Sequence, residues 1–253
     1  MRITFNGVGE AFDQDLPNTS LLIESGACSL LADCGFTAAA AFWRAAADPS
    51  GLDAVYLSHF HGDHYFGLPQ LLARFVDDGR TEPLTILGQS GVEQRVRELV
   101  NMAYTSLLDR AKFELRFLEC RDGGTAELSG MRLSFALGDH PVPSLSLRVD
   151  SAGQSVFYSG DGRPTEATRA LAKGCRMIVH ESFSLDPDKP GHGTVDSSID
   201  FAGEAGARIL ALVHVRRRVR HRLRDEILRR AAAAKGLEVL LPEPGDHVTL
   251  TGS

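Results

Sequence analysis

Short apolar runs that read as strands recur along the chain, separated by stretches with apolar residues at helical spacing. Met1 to Phe5 alternates as a sheet edge does, and Gly7-Val8-Gly9 turns the chain after it. Thr19 to Ile23 and Cys28 to Ala32 flank Glu24-Ser25-Gly26-Ala27, a hairpin signature. The alanine-rich Phe36 to Asp48 is helical in pattern and is expected to cover the outer face of the sheet. Leu68 to Val76 forms a helix stopped by Asp77-Asp78-Gly79-Arg80, and Val92 to Ala111 forms a longer one. Its Met102, Tyr104 and Leu107 could serve a dimer contact or line a site. Further strands fall at Ala54 to Ser58, Leu84 to Leu87, Phe113 to Leu118, Met131 to Ala136, Ser144 to Arg148, Ser155 to Ser159, Met177 to Glu181 and Ala207 to Val213. Val195 to Gly206 is helical. Leu237 to Leu241 and Val248 to Leu250 close the chain as edge strands, with His247 in the loop between them.

The candidate chemistry begins where the Ala54 to Ser58 run ends, in His59-Phe60-His61-Gly62-Asp63-His64. In extended chain, residues two apart point the same way, so His59 and His61 can share one metal ion. A turn at Gly62 would carry Asp63 and His64 to a second ion about 3.5–4 Å away. Imidazole and carboxylate donors without cysteine suit zinc, iron or manganese, and do not suit a purely structural zinc knot.

This hexapeptide resembles the HxHxDH signature of the metallo-β-lactamase superfamily. The resemblance implies an α/β fold, a four-layer αββα sandwich with a dinuclear metal site, here as one domain over residues 1–253. By matched motif, Asp33 in Asp33-Cys34-Gly35 supports the metal-site loop through hydrogen bonds and does not ligate. His140, in Gly138-Asp139-His140-Pro141, completes the first metal's set with His59 and His61. Asp161, in Ser159-Gly160-Asp161, bridges both metals, because an anion between two dications lowers their repulsion. His214 completes the second set with Asp63, His64 and Asp161.

Three stretches are similar to the ribonuclease Z branch of that superfamily. They are the Gly7-Val8-Gly9 loop, the serine-containing strand after His140, and the pair formed by Glu181 in His180-Glu181 and His192 in Gly191-His192-Gly193-Thr194. In that branch the pair is hydrogen-bonded, and a carboxylate that holds an imidazolium can protonate an oxyanion or leaving alkoxide. The glycines could bring backbone N–H groups to a phosphate, or simply form a turn. Arg163 could hold a substrate anion or be solvated. The run Arg216 to Arg224 carries six arginines beside the site, which either grip phosphates or form a solvated helix face paired with Asp225 and Glu226.

Composition narrows the function only slightly. An apolar fraction of 43% and a charged fraction of 24% are ordinary for a globular protein. A net charge of −6 does not favour coating nucleic acid over the whole surface. The four cysteines, Cys28, Cys34, Cys120 and Cys175, form no CxxC pair and read as free thiols in a reducing compartment. With no leader and no bilayer-spanning run, a cytoplasmic location without membrane contact is expected.

The resulting expectation is a dinuclear metal hydrolase, with two divalent ions, zinc first and manganese or iron as alternatives. The favoured substrate is a small or nucleotide-like phosphodiester, and Asp63, Glu181 and His192 are the catalytic candidates. Bacterial members of the ribonuclease Z branch usually carry a long tRNA-gripping arm between the third and fourth motifs. Only about twenty residues separate His140 from Asp161 here, so tRNA 3′-end endonuclease is the first alternative and nucleic acid a less favoured partner. A lactone or carboxylic-ester hydrolase and an iron-dependent redox enzyme follow, because one fold serves several chemistries. A homodimer is expected from the family habit and the Val92 to Ala111 helix.

Overall fold

The apolar runs pair into two seven-stranded sheets in the computed structural model, which describes residues 1–252. In the first sheet, β1 (Arg2–Gly7), β2 (Ser20–Ser25) and β3 (Cys28–Ala32) are antiparallel. From β3, β4 (Ala54–Tyr56), β5 (Leu84–Gly88) and β6 (Leu115–Glu119) continue in parallel. The second sheet repeats this plan. There β7 (Thr125–Leu128), β8 (Met131–Leu137), β9 (Leu145–Ser151) and β10 (Gln154–Tyr158) are antiparallel, and β11 (Met177–Glu181), β12 (Ile209–Val213) and β13 (Glu238–Leu240) run parallel to β10. The last strand, β14 (His247–Thr249), returns to pair with β1.

The inner strands carry apolar residues on both faces because both faces are covered. Leu30 and Ala32 of β3 point into the core between the sheets, with Tyr56, Phe135, Leu147 and Val179. Leu31 and Val55 point outward, against α1 (Ala38–Ala45), the single turn α2 (Gly62–Tyr65), α3 (Leu68–Asp77) and α4 (Val92–Ala103), through Phe42, Tyr65, Leu71, Phe75 and Val96. The second sheet does the same. Its Phe157, Ile178 and Leu210 meet the apolar residues of α5 (Glu166–Ala172) and α6 (Val195–Ala205), and beyond α7 (Arg217–Arg222), Ile227 of α8 (Arg224–Ala233) joins them. The layers are therefore α, β, β and α, the expected sandwich.

Two tyrosines cross the central core with their polar tips satisfied. The Tyr56 hydroxyl donates to the Leu145 carbonyl at 2.6 Å, and the Tyr158 hydroxyl donates to Asp33 Oδ2 at 2.6 Å. Each bond joins one sheet to the other, and each contributes about 1 kcal/mol, more where the acceptor is charged.

Several elements differ from the sequence pattern. The helix begun at Val92 stops at Ala103. Tyr104 is extended, Ser106 takes a positive φ of 57°, and the Asn101 side chain accepts the Ser106 N–H, which turns the chain. Leu107 is consequently buried, while Met102 and Tyr104 stay exposed and away from the site. The half-exposed, four-residue β7 and the seven-residue helix α5 are too short to register as patterns. His247 lies in β14 and not in a loop. Gly7 and Gly9 pack against the backbone of residues 16–18, where any Cβ would collide, and the Gly9 N–H is bonded to the Pro17 carbonyl. They shape a backbone contact and leave the Gly9 donor unavailable for a phosphate.

Candidate metal centre

Strands of both sheets end at one edge, and the chemistry-bearing residues sit just past those ends: Asp33 after β3, His59 after β4, Asp161 after β10, Glu181 closing β11 and His214 after β12. The hexapeptide leaves the sheet because Leu57 N–H bonds the Leu87 carbonyl while Ser58 N–H turns to Asp33 Oδ1. It then winds into α2, whose His64 carbonyl accepts the Cys34 N–H. Gly35 lets the two segments approach, since a Cβ there would overlap the Asp63 backbone.

Two groups of donor atoms result. His59, His61 and His140 form one, and Asp63, His64, Asp161 and His214 the other, each within 4.8 Å. His59 Nε2 lies 3.1 Å from His61 Nδ1, and His140 Nε2 lies 3.4 Å from the same atom. In the second group, His64 Nε2 is 3.3 Å from Asp63 Oδ2 and 3.5 Å from Asp161 Oδ1. His214 Nε2 is 3.2 Å from Asp63 Oδ2 and 3.4 Å from Asp161 Oδ2. A tetrahedral centre with metal–nitrogen bonds of about 2.0–2.1 Å has edges of about 3.3–3.4 Å, so both groups have the spacing of ligand atoms around a cation. Asp161 is also within reach of His140 and His192, which sets its carboxylate between the groups.

The proton positions follow from the hydrogen bonds. Ser58 has one hydroxyl hydrogen, and it goes to Asp33 Oδ2 at 2.7 Å. Ser58 Oγ, 3.0 Å from His59 Nδ1, must then accept the N–H of that ring, leaving His59 Nε2 with a lone pair. His64 Nδ1 donates to Asp33 Oδ2 at 2.8 Å, and His140 Nδ1 donates to the Gly191 carbonyl at 3.0 Å. All three Nε2 atoms are thereby aimed inward. Asp33 accepts four bonds, from Ser58 N–H, Ser58 hydroxyl, His64 and Tyr158, and lies in neither donor group. Such outer partners fix tautomer and ring orientation.

Electrostatics divide the groups. Burial holds His59, His61 and His140 below the ordinary imidazole range, which suits neutral donors. Burial also acts against charge on His64 and His214, yet Asp161, with Asp33 and Asp63 for His64 and Asp63 for His214, outweighs it and raises both. Against burial, His64 and His214 in turn hold Asp63 and Asp161 well below the usual carboxylate range. His64 Nε2 and Asp161 Oδ1 are buried with no hydrogen-bond partner. Two ionised carboxylates with orphaned donor atoms beside them fit a bound cation, and these residues fit the expected dinuclear centre.

The structure brings Glu181 and His192 together without aligning a hydrogen bond. His192 Nδ1 is 3.4 Å from Glu181 Oε1 and has no satisfied partner. The Glu181 carboxylate is occupied by backbone N–H groups of Gly162, Phe183 and Gly193, so it also ties three loops together. Arg163 is a brace: its guanidinium donates to the His192 and Lys189 carbonyls at 3.0 Å. The arginine run splits. Arg216, Arg217 and Arg218 line an open cleft of about 760 Å³ above the donor groups. Buried Arg220 bonds the Pro242 carbonyl and pairs with Glu243, and Arg224 also pairs with Glu243.

Sequence reading missed Ser58 and Tyr158, whose roles depend on contacts that span sheets. It also missed the positive φ of Asp33 (60°) and His214 (53°), strain of a kind that clusters at functional sites. Gly191, with φ of 73°, packs on Pro141 and orients His140. A Cβ there would overlap the proline ring, so Gly191→Ala is expected to shift the carbonyl that fixes His140 and to weaken metal binding about 10-fold or more. Calorimetric metal titration checks this, and an unchanged affinity would show that the carbonyl does not orient the ring.

The fold and the paired His/Asp groups define a metal-dependent hydrolase of the metallo-β-lactamase fold, in its ribonuclease Z and phosphodiesterase-like branch. Over residues 1–225 the chain matches the family described as Anti-Pycsar protein Apyc1, and it belongs to that family. It is 27% identical to the ribonuclease Z of Natronomonas pharaonis over 99% of this chain and 98% of that protein. To the ribonuclease Z of Halorubrum lacusprofundi it is 28% identical, over 98% and 96%. Among solved structures, the metallo-β-lactamase fold protein YhfI from Bacillus subtilis superposes with a TM-score of 0.83 at 23% identity, covering 98% of this chain and 99% of that one. The short form of human tRNase Z gives 0.80 at 20% identity, covering 99% and 100%.

Proposed function

We propose that this chain hydrolyses a phosphodiester bond in a compact, nucleotide-like substrate. The observation that carries this reading is the cleft above the donor groups, with Lys189, Arg216, Arg217 and Arg218 at its rim and His192 on its wall. Guanidinium and ammonium groups beside a cationic centre attract a phosphate and orient it. His59, His61, His140 and Asp161 would hold one cation, and Asp63, His64, His214 and Asp161 the other, with zinc suited first and manganese or iron next. When bound, such a pair supplies a water-derived nucleophile near neutral pH and neutralises charge developing on the phosphoryl group.

The protein's own groups do the rest. Asp63 Oδ2 can orient the attacking water or take its proton, and His192, lying against Glu181, can donate a proton to the leaving oxygen. Phe183 packs on the His192 ring with centroids 4.6 Å apart and limits its motion. A homodimer that uses the exposed Met102 and Tyr104 at the end of α4 belongs to this reading. So does a cytoplasmic location, with all four cysteines free and buried. Among the described residues, no helix is long and apolar enough to cross a membrane.

A second reading, tRNA 3′-end endonuclease, has the names of the curated relatives behind it, and they favour it over the small-substrate reading. One observation separates this chain from those relatives. The alignment to the Natronomonas protein runs over 303 positions, against 253 residues here, so that relative carries at least 50 residues this chain lacks. In addition, the matching family is described by an anti-Pycsar role and not by tRNA processing.

The test compares metal-loaded protein on bis(p-nitrophenyl) phosphate, on a p-nitrophenyl carboxylate ester and on a 3′-extended tRNA precursor. Phosphodiester turnover is expected to exceed ester turnover, to fall at least about 100-fold in His61→Ala and to fall about 100-fold or more in His192→Ala. Preference for the carboxylate ester would sink the reading, and indifference to His192 would remove its acid role. Efficient cleavage of the precursor would transfer the assignment to the second reading.

A further inference from the structure

The loop after Gly9 puts an aromatic ring where a buried chain segment would not. Phe12 is 74% exposed, the most exposed aromatic side chain among the described residues, and it lines the cleft. Single exposed apolar residues usually need no explanation. Phe12 differs because buried charge holds its loop in place. Glu10 is only 2% exposed. Its Oε2 accepts the Phe12 backbone N–H at 2.9 Å, and its Oε1 accepts the Arg217 guanidinium at 2.6 Å. Asp13, also buried, accepts the N–H groups of Asp15 and Leu16 and lies 3.1 Å from His221 Nε2 on α7. The loop is thus clasped to α7 at two points on either side of Phe12.

Holding a loop this firmly while leaving its phenyl ring in water contributes little to folding. It does pre-organise a flat apolar surface beside a cation, since the Arg217 guanidinium carbon lies 5.9 Å from the Phe12 ring centroid. Phe36 lines the same cleft, as do Arg216, Arg218 and Lys189, which lie near the His/Asp floor. An aromatic face with a guanidinium next to it is what a nucleobase stacks on, and the volume falls in the range of small-molecule sites.

We propose that Phe12 is the stacking platform for the nucleobase attached to the scissile phosphodiester, with Glu10 and Asp13 as its positioning residues. This rests on the phosphodiesterase reading above and names the part of the substrate that the cleft selects. A base on Phe12 leaves its phosphate to Arg216, Arg218 and the donor groups below. Substrates without a base lose that anchor.

Two esters test the proposal because both release p-nitrophenolate and differ in the nucleoside alone: p-nitrophenyl thymidine 5′-phosphate and methyl p-nitrophenyl phosphate. Wild type should show a higher kcat/KM on the nucleoside ester by about five-fold or more, the lower end of what one base–aromatic stack contributes. Phe12→Ala should bring the ratio of the two close to one, and Phe12→Trp should preserve it. Glu10→Gln, which keeps the ring and weakens its clasp, should lower the ratio through KM with kcat retained. Calorimetric binding of thymidine 5′-monophosphate should weaken by a similar factor in Phe12→Ala. A wild-type ratio near one, or an equal change on both esters in Phe12→Ala, would overturn the platform. No turnover of either ester, with nucleotide binding still dependent on Phe12, would overturn the phosphodiesterase reading and leave the platform standing.

Discussion

Asp161→Asn is expected to fold normally, to retain at most one metal ion per chain and to lose phosphodiester turnover by at least about 100-fold, the scale of removing one pre-organised electrostatic group from a site. The two oxygens of Asp161 face different imidazoles, Oδ1 toward His64 Nε2 at 3.5 Å and Oδ2 toward His214 Nε2 at 3.4 Å. It is also the residue placed against both donor groups. The amide has the same shape and no formal charge, so cavity formation is avoided and the anion alone is removed. Two neighbouring dications repel, and without a carboxylate between them the second is held poorly. Metal analysis of the dialysed protein reads this independently of activity. A variant that keeps two ions and more than a tenth of wild-type turnover would show that Asp161 does not bridge.

Asp33→Ala should be the most damaging change outside the proposed ligands. Its carboxylate is fully buried and accepts four hydrogen bonds of 2.6–2.8 Å. Removal strands the Ser58 N–H and hydroxyl, the His64 ring and the Tyr158 hydroxyl, each costing about 1–3 kcal/mol if left unpaired. These losses are not additive, and a total of about 3–5 kcal/mol is expected, as for breaking one partner out of a buried charged set. Alanine also suits the positive φ of 60° at this position poorly. With His64 no longer oriented, metal affinity should fall about 10–100-fold. Urea unfolding of the metal-free protein and calorimetric titration measure the two effects separately. A stability loss below about 1 kcal/mol together with unchanged affinity would mean that the network around Asp33 is replaceable by water.

Much of the site was legible because metal ligands follow a local rule. Residues two apart on a strand and a turn at Gly62 single out His59, His61, Asp63 and His64 from spacing, whereas the more distant His140, Asp161 and His214 were reached only through resemblance to the family's motifs. The structure brings all seven into the two donor groups. Motif resemblance paired Glu181 with His192, but it could not show that three backbone N–H groups occupy the carboxylate. Nor could it choose between grip and solvation for the arginine run. That choice depends on where α7 lies, because Arg216, Arg217 and Arg218 face the cleft while Arg220 is buried against Pro242.

The sequence by itself determined most strands and helices and the donor types of the hexapeptide, since alternation, continuous apolar runs and ligand spacing act over a few residues. The layers were reached through the family resemblance. Tertiary structure alone decided the end of α4 at Ala103, the bracing role of Arg163, the proton direction at His59 and the exposure of Phe12. Each of these depends on a partner far away in the chain or on a turn that leaves no periodic signal: Asn101 with Ser106, Arg163 with Lys189 and His192, Ser58 with Asp33, and Glu10 with Arg217. Hydrogen bonds are directional and short, so which atoms meet is settled only once the two sheets have packed.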